Sequence, residues 1–116
     1  MKKILIIVTL FFLSGVSAHA DITIKIYKEL RTKKSDSIKI YVGGVAEGFD
    51  WANSALENKA QPPLYCVPPK LPITNDGYLA ILDNFLEEPV GKAMPEYIPI
   101  AAILLKALER TSPCSK

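Results

Sequence analysis

"YVGGVAEGFDWANSAL", residues 41–56, decides how this chain is read. Its apolar positions recur at spacings of three and four, the period of a helix with one buried face. Yet it carries Gly43, Gly44 and Gly48, and each glycine costs a helix interior about 1 kcal/mol relative to alanine. A helix that carries this cost three times needs something in return. Gly44 and Gly48 stand four apart and share a face, so a second backbone can come close there and its dispersion contacts offset the cost. Packing inside the chain is the favoured reading. A seam between two copies, and a ligand groove, are the alternatives. A phosphate loop is excluded, because "GGVAEG" lacks the G-x-G-x-x-G spacing and no Lys-Ser/Thr pair follows it.

Outward from this stretch, Ile38, Tyr41, Val42, Val45, Phe49, Ala52 and Leu56 form one stripe, which predicts a helix from about Ile38 to Glu57. Asp36 or Ser37 would cap it. Upstream, "ITIKIYKELR" (22–31) is ambiguous. Ile22, Ile24 and Ile26 alternate as in a strand, while Lys28, Glu29 and Leu30 favour a helix ending near Arg31. Downstream, "NKAQPPLYCVPPKLPI" (58–73) holds five prolines, which no regular element survives, so a stiff extended connection across the surface is expected. Thr74 should cap a third helix with Tyr78, Ile81, Leu82, Phe85 and Leu86 inward, with Ile73 stapled on Tyr78 and Pro89 ending it. After a short turn and Pro95, a fourth helix is expected from Glu96 to Arg110, with Ile100, Ile103, Leu104 and Leu108 buried. The fold class is therefore all-α, a small bundle of about four helices. The short link makes the third and fourth helices antiparallel neighbours.

The first 20 residues read differently. Lys2 and Lys3 precede an apolar run from Ile4 to Leu13, and Ala18-His19-Ala20 forms an A-x-A cleavage site. That is the pattern of a secretory signal peptide, so residues 21–116 are expected as the helical domain, in the periplasm. The run is shorter than the roughly 20 residues a membrane span needs, so no membrane association is expected after cleavage. The whole chain has a formal net charge of +2, and Lys2 and Lys3 account for it. A balanced remainder gives no reason to expect nucleic acid as a partner. His19, the single histidine, also lies in the leader. The commonest general base and metal ligand is thus missing from the remainder, and neither a catalytic site, a metal site nor a cofactor is expected.

Cys66 and Cys114 are the cysteines, and an even count in an exported protein implies a disulfide. Two unpaired buried thiols are the alternative. The bridge would close a loop of about 48 residues, for which chain entropy allows a gain of about 4 kcal/mol. It would lock the last two helices at the open end of their hairpin. Glu47 with Asp50, and Asp83 with Glu87, fall at helical spacings and could do acid–base work, although a solvated face is the plainer reading. Phe49 suits the core, and Trp51 lies off the main stripe, where an aromatic can anchor an interface.

Taken together, "YVGGVAEGFDWANSAL", "YCVPPKLPIT", a helix ending "FLEEP" and "IAAILLKALERTSPC" resemble the Rap/Tai family of immunity proteins associated with type VI secretion. The resemblance covers about Ile40 to Cys114. It implies a small helical periplasmic protein, often a homodimer, that binds and blocks a secreted peptidoglycan amidase effector. Candidate contact surfaces are the proline-rich connection, with Tyr65, Lys70 and Leu71, and the turn from Glu87 through Glu88 to Tyr97. A periplasmic binding or chaperone-like module without a toxin partner is the competing reading. A hydrolase using a Ser-Lys or carboxylate pair is the third.

Overall fold

The computed structural model describes residues 21–68 and 72–115; the expected signal peptide lies outside them. They form five helices: α1 Ile24–Thr32, α2 Asp36–Asn58, α3 Asn75–Glu87, α4 Pro89–Lys92 and α5 Ile100–Thr111. The all-α class holds, with no strand among the described residues and the Cys66–Cys114 disulfide formed.

The ambiguous segment 22–31 resolves into both of its readings. Residues 22 and 23 are extended, and Thr23 makes an isolated antiparallel bridge with Pro99. Ile100 N–H donates to the Ile22 carbonyl at 2.7 Å, and Ile24 N–H donates to the Ile98 carbonyl at 3.0 Å. Helix α1 then starts, with the Thr23 hydroxyl accepting from Ile26 N–H. The Lys25 N–H donates to the Glu96 carbonyl at 3.1 Å. Two donors that the helix start leaves unpaired thus find carbonyls of the 96–98 segment. The same pairing shortens α5. It begins at Ile100 and not at Glu96, because the Glu96 and Ile98 carbonyls are committed to α1 and Pro99 disfavours helix at Ile98.

Both α1 and α2 end by the same device. Lys34 and Ala60 take left-handed backbone, with φ of 52° and 53°. The residue after each donates back into its helix, Ser35 N–H to Leu30 and Gln61 N–H to Leu56. This closure satisfies end carbonyls that would otherwise lack donors. At the start of α2, Ser35 occupies the cap position, and Asp36 is already helical, where its charge suits the positive end of the helix dipole. The expected caps Asp36 and Ser37 are therefore corrected by one or two positions.

The core gathers Ile24 and Tyr27 of α1, Ile38, Val42 and Ala46 of α2, five residues of α3 and five of α5. Helix α3 is the centre and contacts α2, α4 and α5. Thr74 caps it as expected, its hydroxyl accepting from Gly77 N–H at 3.1 Å. Leu79 is buried where Ile81 was expected, and Ile81 is half-buried. Pro89 ends α3 by holding Glu88 extended, with ψ of 155°. Proline then opens the single turn of α4, where a plain turn was expected. Gly91 is buried in that turn; a Cβ there would overlap the Phe85 carbonyl, so only glycine lets α4 fold back on α3.

The expected antiparallel hairpin does not describe α3 and α5. Arg110, in the last turn of α5, pairs with Glu88, directly after α3, at 2.8 Å. The ends of the two helices meet, whereas a hairpin sets each end beside the other's start. The long 88–99 connection, with α4 inside it and its carbonyls paired to α1, allows this crossing.

Candidate functional site

The proline-rich connection is tied down at Leu64, Tyr65 and Cys66. Asn53 on α2 reads its backbone twice: Leu64 N–H donates to Oδ1 at 2.7 Å, and Nδ2 donates to the Tyr65 carbonyl at 3.2 Å. The Tyr65 hydroxyl donates to Asp50 Oδ1 at 2.8 Å. One residue later, Cys66 N–H donates to the Ser112 carbonyl at 2.8 Å. Cys66 Sγ bonds Cys114 Sγ at 2.01 Å, across 48 positions of chain. The connection thus links the last turns of α2 to the end of α5.

This arrangement corrects Tyr65 as a contact residue. It is 2% exposed, and its ring belongs to the core. Burial, together with the adjacent Asp50 carboxylate, pushes its hydroxyl far above the ordinary tyrosine range. Lys70 and Leu71 lie outside the described residues.

The other expected surface is exposed. Glu87 pairs with Lys92 across the α3–α4 corner at 3.2 Å, and Tyr97 is 75% exposed. Glu88 is the partner of Arg110. Beside this turn lies an open groove of about 320 Å³, lined by Phe85, Val90, Met94, Lys106, Glu109 and Arg110. Its floor is apolar and its α5 rim carries both signs of charge. Phe85 was expected on the buried stripe of α3, and Val90 and Met94 lie in the expected 87–97 turn. Lys106, Glu109 and Arg110 were not singled out, because 85–94 and 106–110 meet only through the α3–α5 crossing.

A second groove, of about 220 Å³, surrounds Tyr27, Arg31 and Asp83. The Tyr27 hydroxyl donates to Asp83 Oδ1 at 2.6 Å, and Arg31 donates to both Asp83 oxygens. Burial and this carboxylate raise the Tyr27 hydroxyl well above its ordinary value. Asp83 is thereby committed to α1, and Glu87 to Lys92. The carboxylate pair read from their spacing does not form, and Asp50 of the other pair is held by Tyr65. Among the described residues no group of three His, Cys, Asp or Glu side chains could hold a metal, and no helix is long and apolar enough to cross a membrane.

The three glycines part company. Gly43 packs inside the chain, against the Asn75 side chain at the start of α3. Gly44 and Gly48 face open space, with no atom within 4 Å of where a Cβ would stand. The expectation of a docking groove for a second helix of the same chain is therefore corrected for both. The stripe that buries Val42 and Ala46 turns Gly44 and Gly48 outward, alongside Ile40 and Trp51, which are 72% and 71% exposed. Compared with known proteins, the chain matches no family model, no curated protein and no solved structure.

Proposed function

We propose that the protein is a periplasmic immunity protein that binds a secreted peptidoglycan amidase of type VI secretion and occludes its cleft. The sequence resemblance from Ile40 to Cys114 supplies the family. The observation that carries the reading is a cross-braced helical frame from which the turn 87–97 projects beside an open groove. Such a surface is stiffened by the disulfide, by Asn53 and by the Arg31–Asp83 grip, so little conformational freedom is lost on binding. Occlusion needs no catalytic group.

The contact surface is narrowed relative to the sequence reading. Tyr65 is withdrawn as a core residue. Glu87, Glu88 and Tyr97 remain, with Val90 and Met94 of the same turn, and Arg110 joins them. The protein is expected to protect cells in which such an amidase is directed to the periplasm. Survival in the presence of the exported chain, lost when Tyr97→Ala and Val90→Asp are combined, supports the reading. Lysis at the same rate with and without the chain contradicts it.

A further inference from the structure

The groove beside the turn 87–97 has an apolar floor and fixed walls. Phe85 lies at its base and is 5% exposed. Val90 and Met94 line it from α4 and the residues just after, and Lys106, Glu109 and Arg110 line it from α5. Gly91 lets α4 lie directly on the Phe85 carbonyl, and Glu88 ties the end of α3 to Arg110, so the walls stand in place before anything binds. The space, about 320 Å³, is at the lower end of the range for small-molecule sites and is open to solvent. A free ligand there would keep much of its apolar surface in water. A single side chain delivered by a larger protein surface would not, because the contacts around it shut the water out.

The charges around the groove divide into two kinds. Glu87 pairs with Lys92, Glu88 with Arg110, and Glu96 with Lys28. Lys106 and Glu109 stand three apart on α5, a spacing that allows a pair. Yet neither has an ion-pair partner among the described residues, and both are exposed. The rim thus offers one open cation and, about 4.5 Å further along the helix, one open anion. Met94 suits a guest of varied shape, since its unbranched thioether adapts to what it meets.

We infer that this groove receives one apolar side chain of the blocked enzyme, flanked by a carboxylate that meets Lys106 and a cationic group that meets Glu109. The rim selects that occupant. Opposite charges beside an apolar floor are matched by a segment that sets an acid and a base on either side of its apolar residue. A segment with two acids or two bases leaves one rim charge facing its like. That the segment belongs to the amidase rests on the function proposed above. The interlock then runs both ways: the turn enters the enzyme's cleft, and a side chain of the enzyme enters this chain.

Two measurements test the inference, and the first needs no enzyme. Met94 is the only methionine after residue 1, so its carbon-13 methyl resonance reports on the groove alone. Capped tripeptides Glu-Leu-Lys, Glu-Leu-Glu, Lys-Leu-Lys and Glu-Ser-Lys are titrated into the oxidised protein. Glu-Leu-Lys should move that resonance saturably with a constant of roughly 1 mM, and about threefold more tightly than the peptides of uniform charge. Glu-Ser-Lys should leave it in place. Lys106→Glu, with an acidic rim throughout, should prefer Lys-Leu-Lys. The second measurement exchanges the rim charges, Lys106→Glu with Glu109→Lys, at unchanged net charge. The urea midpoint should hold, and inhibition of the amidase should weaken about tenfold. A methyl resonance that no peptide moves overturns the inference. So does a preference that Lys106→Glu leaves unaltered, or an exchanged variant that inhibits as well as the wild type. If the wild type fails to inhibit while Glu-Leu-Lys binds as stated, the chemistry of the groove stands and the amidase reading falls.

Discussion

Arg31 holds Asp83 through two guanidinium nitrogens, Nη2 at 2.5 Å and Nε at 3.2 Å, and the Tyr27 hydroxyl takes the same carboxylate at 2.6 Å. This single carboxylate receives hydrogen bonds from two side chains of the first helix, and the Tyr27 hydroxyl also reaches the Leu79 carbonyl of the central helix at 3.4 Å. Both charged partners are about 38% exposed, so water screens the ion pair and it contributes at most about 1 kcal/mol. Losing the hydrogen bond to Tyr27 adds to that. Asp83→Ala should lower stability by about 2 kcal/mol, read from urea midpoints. Asp83→Asn, which can still accept from Tyr27, should cost clearly less. Equal losses for the two would show that the carboxylate charge carries the whole effect.

Ala60 ends α2 in left-handed backbone, with φ of 53°, a region that L residues enter at a cost of about 1–2 kcal/mol. Glycine removes this cost but adds freedom to the unfolded chain. Ala60→Gly should therefore stabilise the protein by about 0.5–1 kcal/mol, visible as a higher thermal midpoint. A lower midpoint would mean that the residue is not held in that conformation.

The disulfide closes a 48-residue separation that contains α3, α4 and α5. Cys66→Ser should cost about 2–4 kcal/mol. In a domain of this size that corresponds to a fall of at least about 10 °C in the midpoint. Reducing the wild type should reproduce the fall, and reducing Cys66→Ser should change nothing.

Much of this frame could be read in the residues. The period of Tyr41–Leu56 announced α2 despite its glycines, Thr74 and Pro89 bounded α3, and the two cysteines announced their bond. What escaped depends on contacts between distant positions. The start of α5 was displaced because the Glu96 and Ile98 carbonyls answer to α1, some seventy residues upstream, and no local pattern carries that. Tyr65 read as surface because prolines surround it, yet Asp50 supplies the partner that lets its hydroxyl enter the core. For Gly44 and Gly48 the period was right and the direction was not. The exposed Ile40 and Trp51 on the same side, both off the main stripe, were the available sign.

Tyr27, Tyr65 and Tyr78 all have hydroxyls raised above their ordinary value, burial being the first cause in each. Below the ordinary tyrosine pKa of about 10, folded and unfolded chains bind these protons equally and stability is unaffected by them. Above it the unfolded chain releases protons that the folded chain keeps, so stability falls as pH rises. Denaturant midpoints should be flat from about pH 8 to 9.5 and decline beyond about pH 10, with a shallower decline in Tyr65→Phe. An unchanged slope in that variant would contradict burial of its hydroxyl.

In the function proposed for it, this stiff helical frame acts by blocking another protein. Titrating the oxidised chain into a type VI peptidoglycan amidase, with release of cleaved wall peptides as the readout, tests it most directly. Hydrolysis is expected to fall to zero at one chain per enzyme, and Tyr97→Ala with Val90→Asp to shift the titration to higher concentration. Undiminished hydrolysis at a large excess of the folded, disulfide-bonded protein would contradict it.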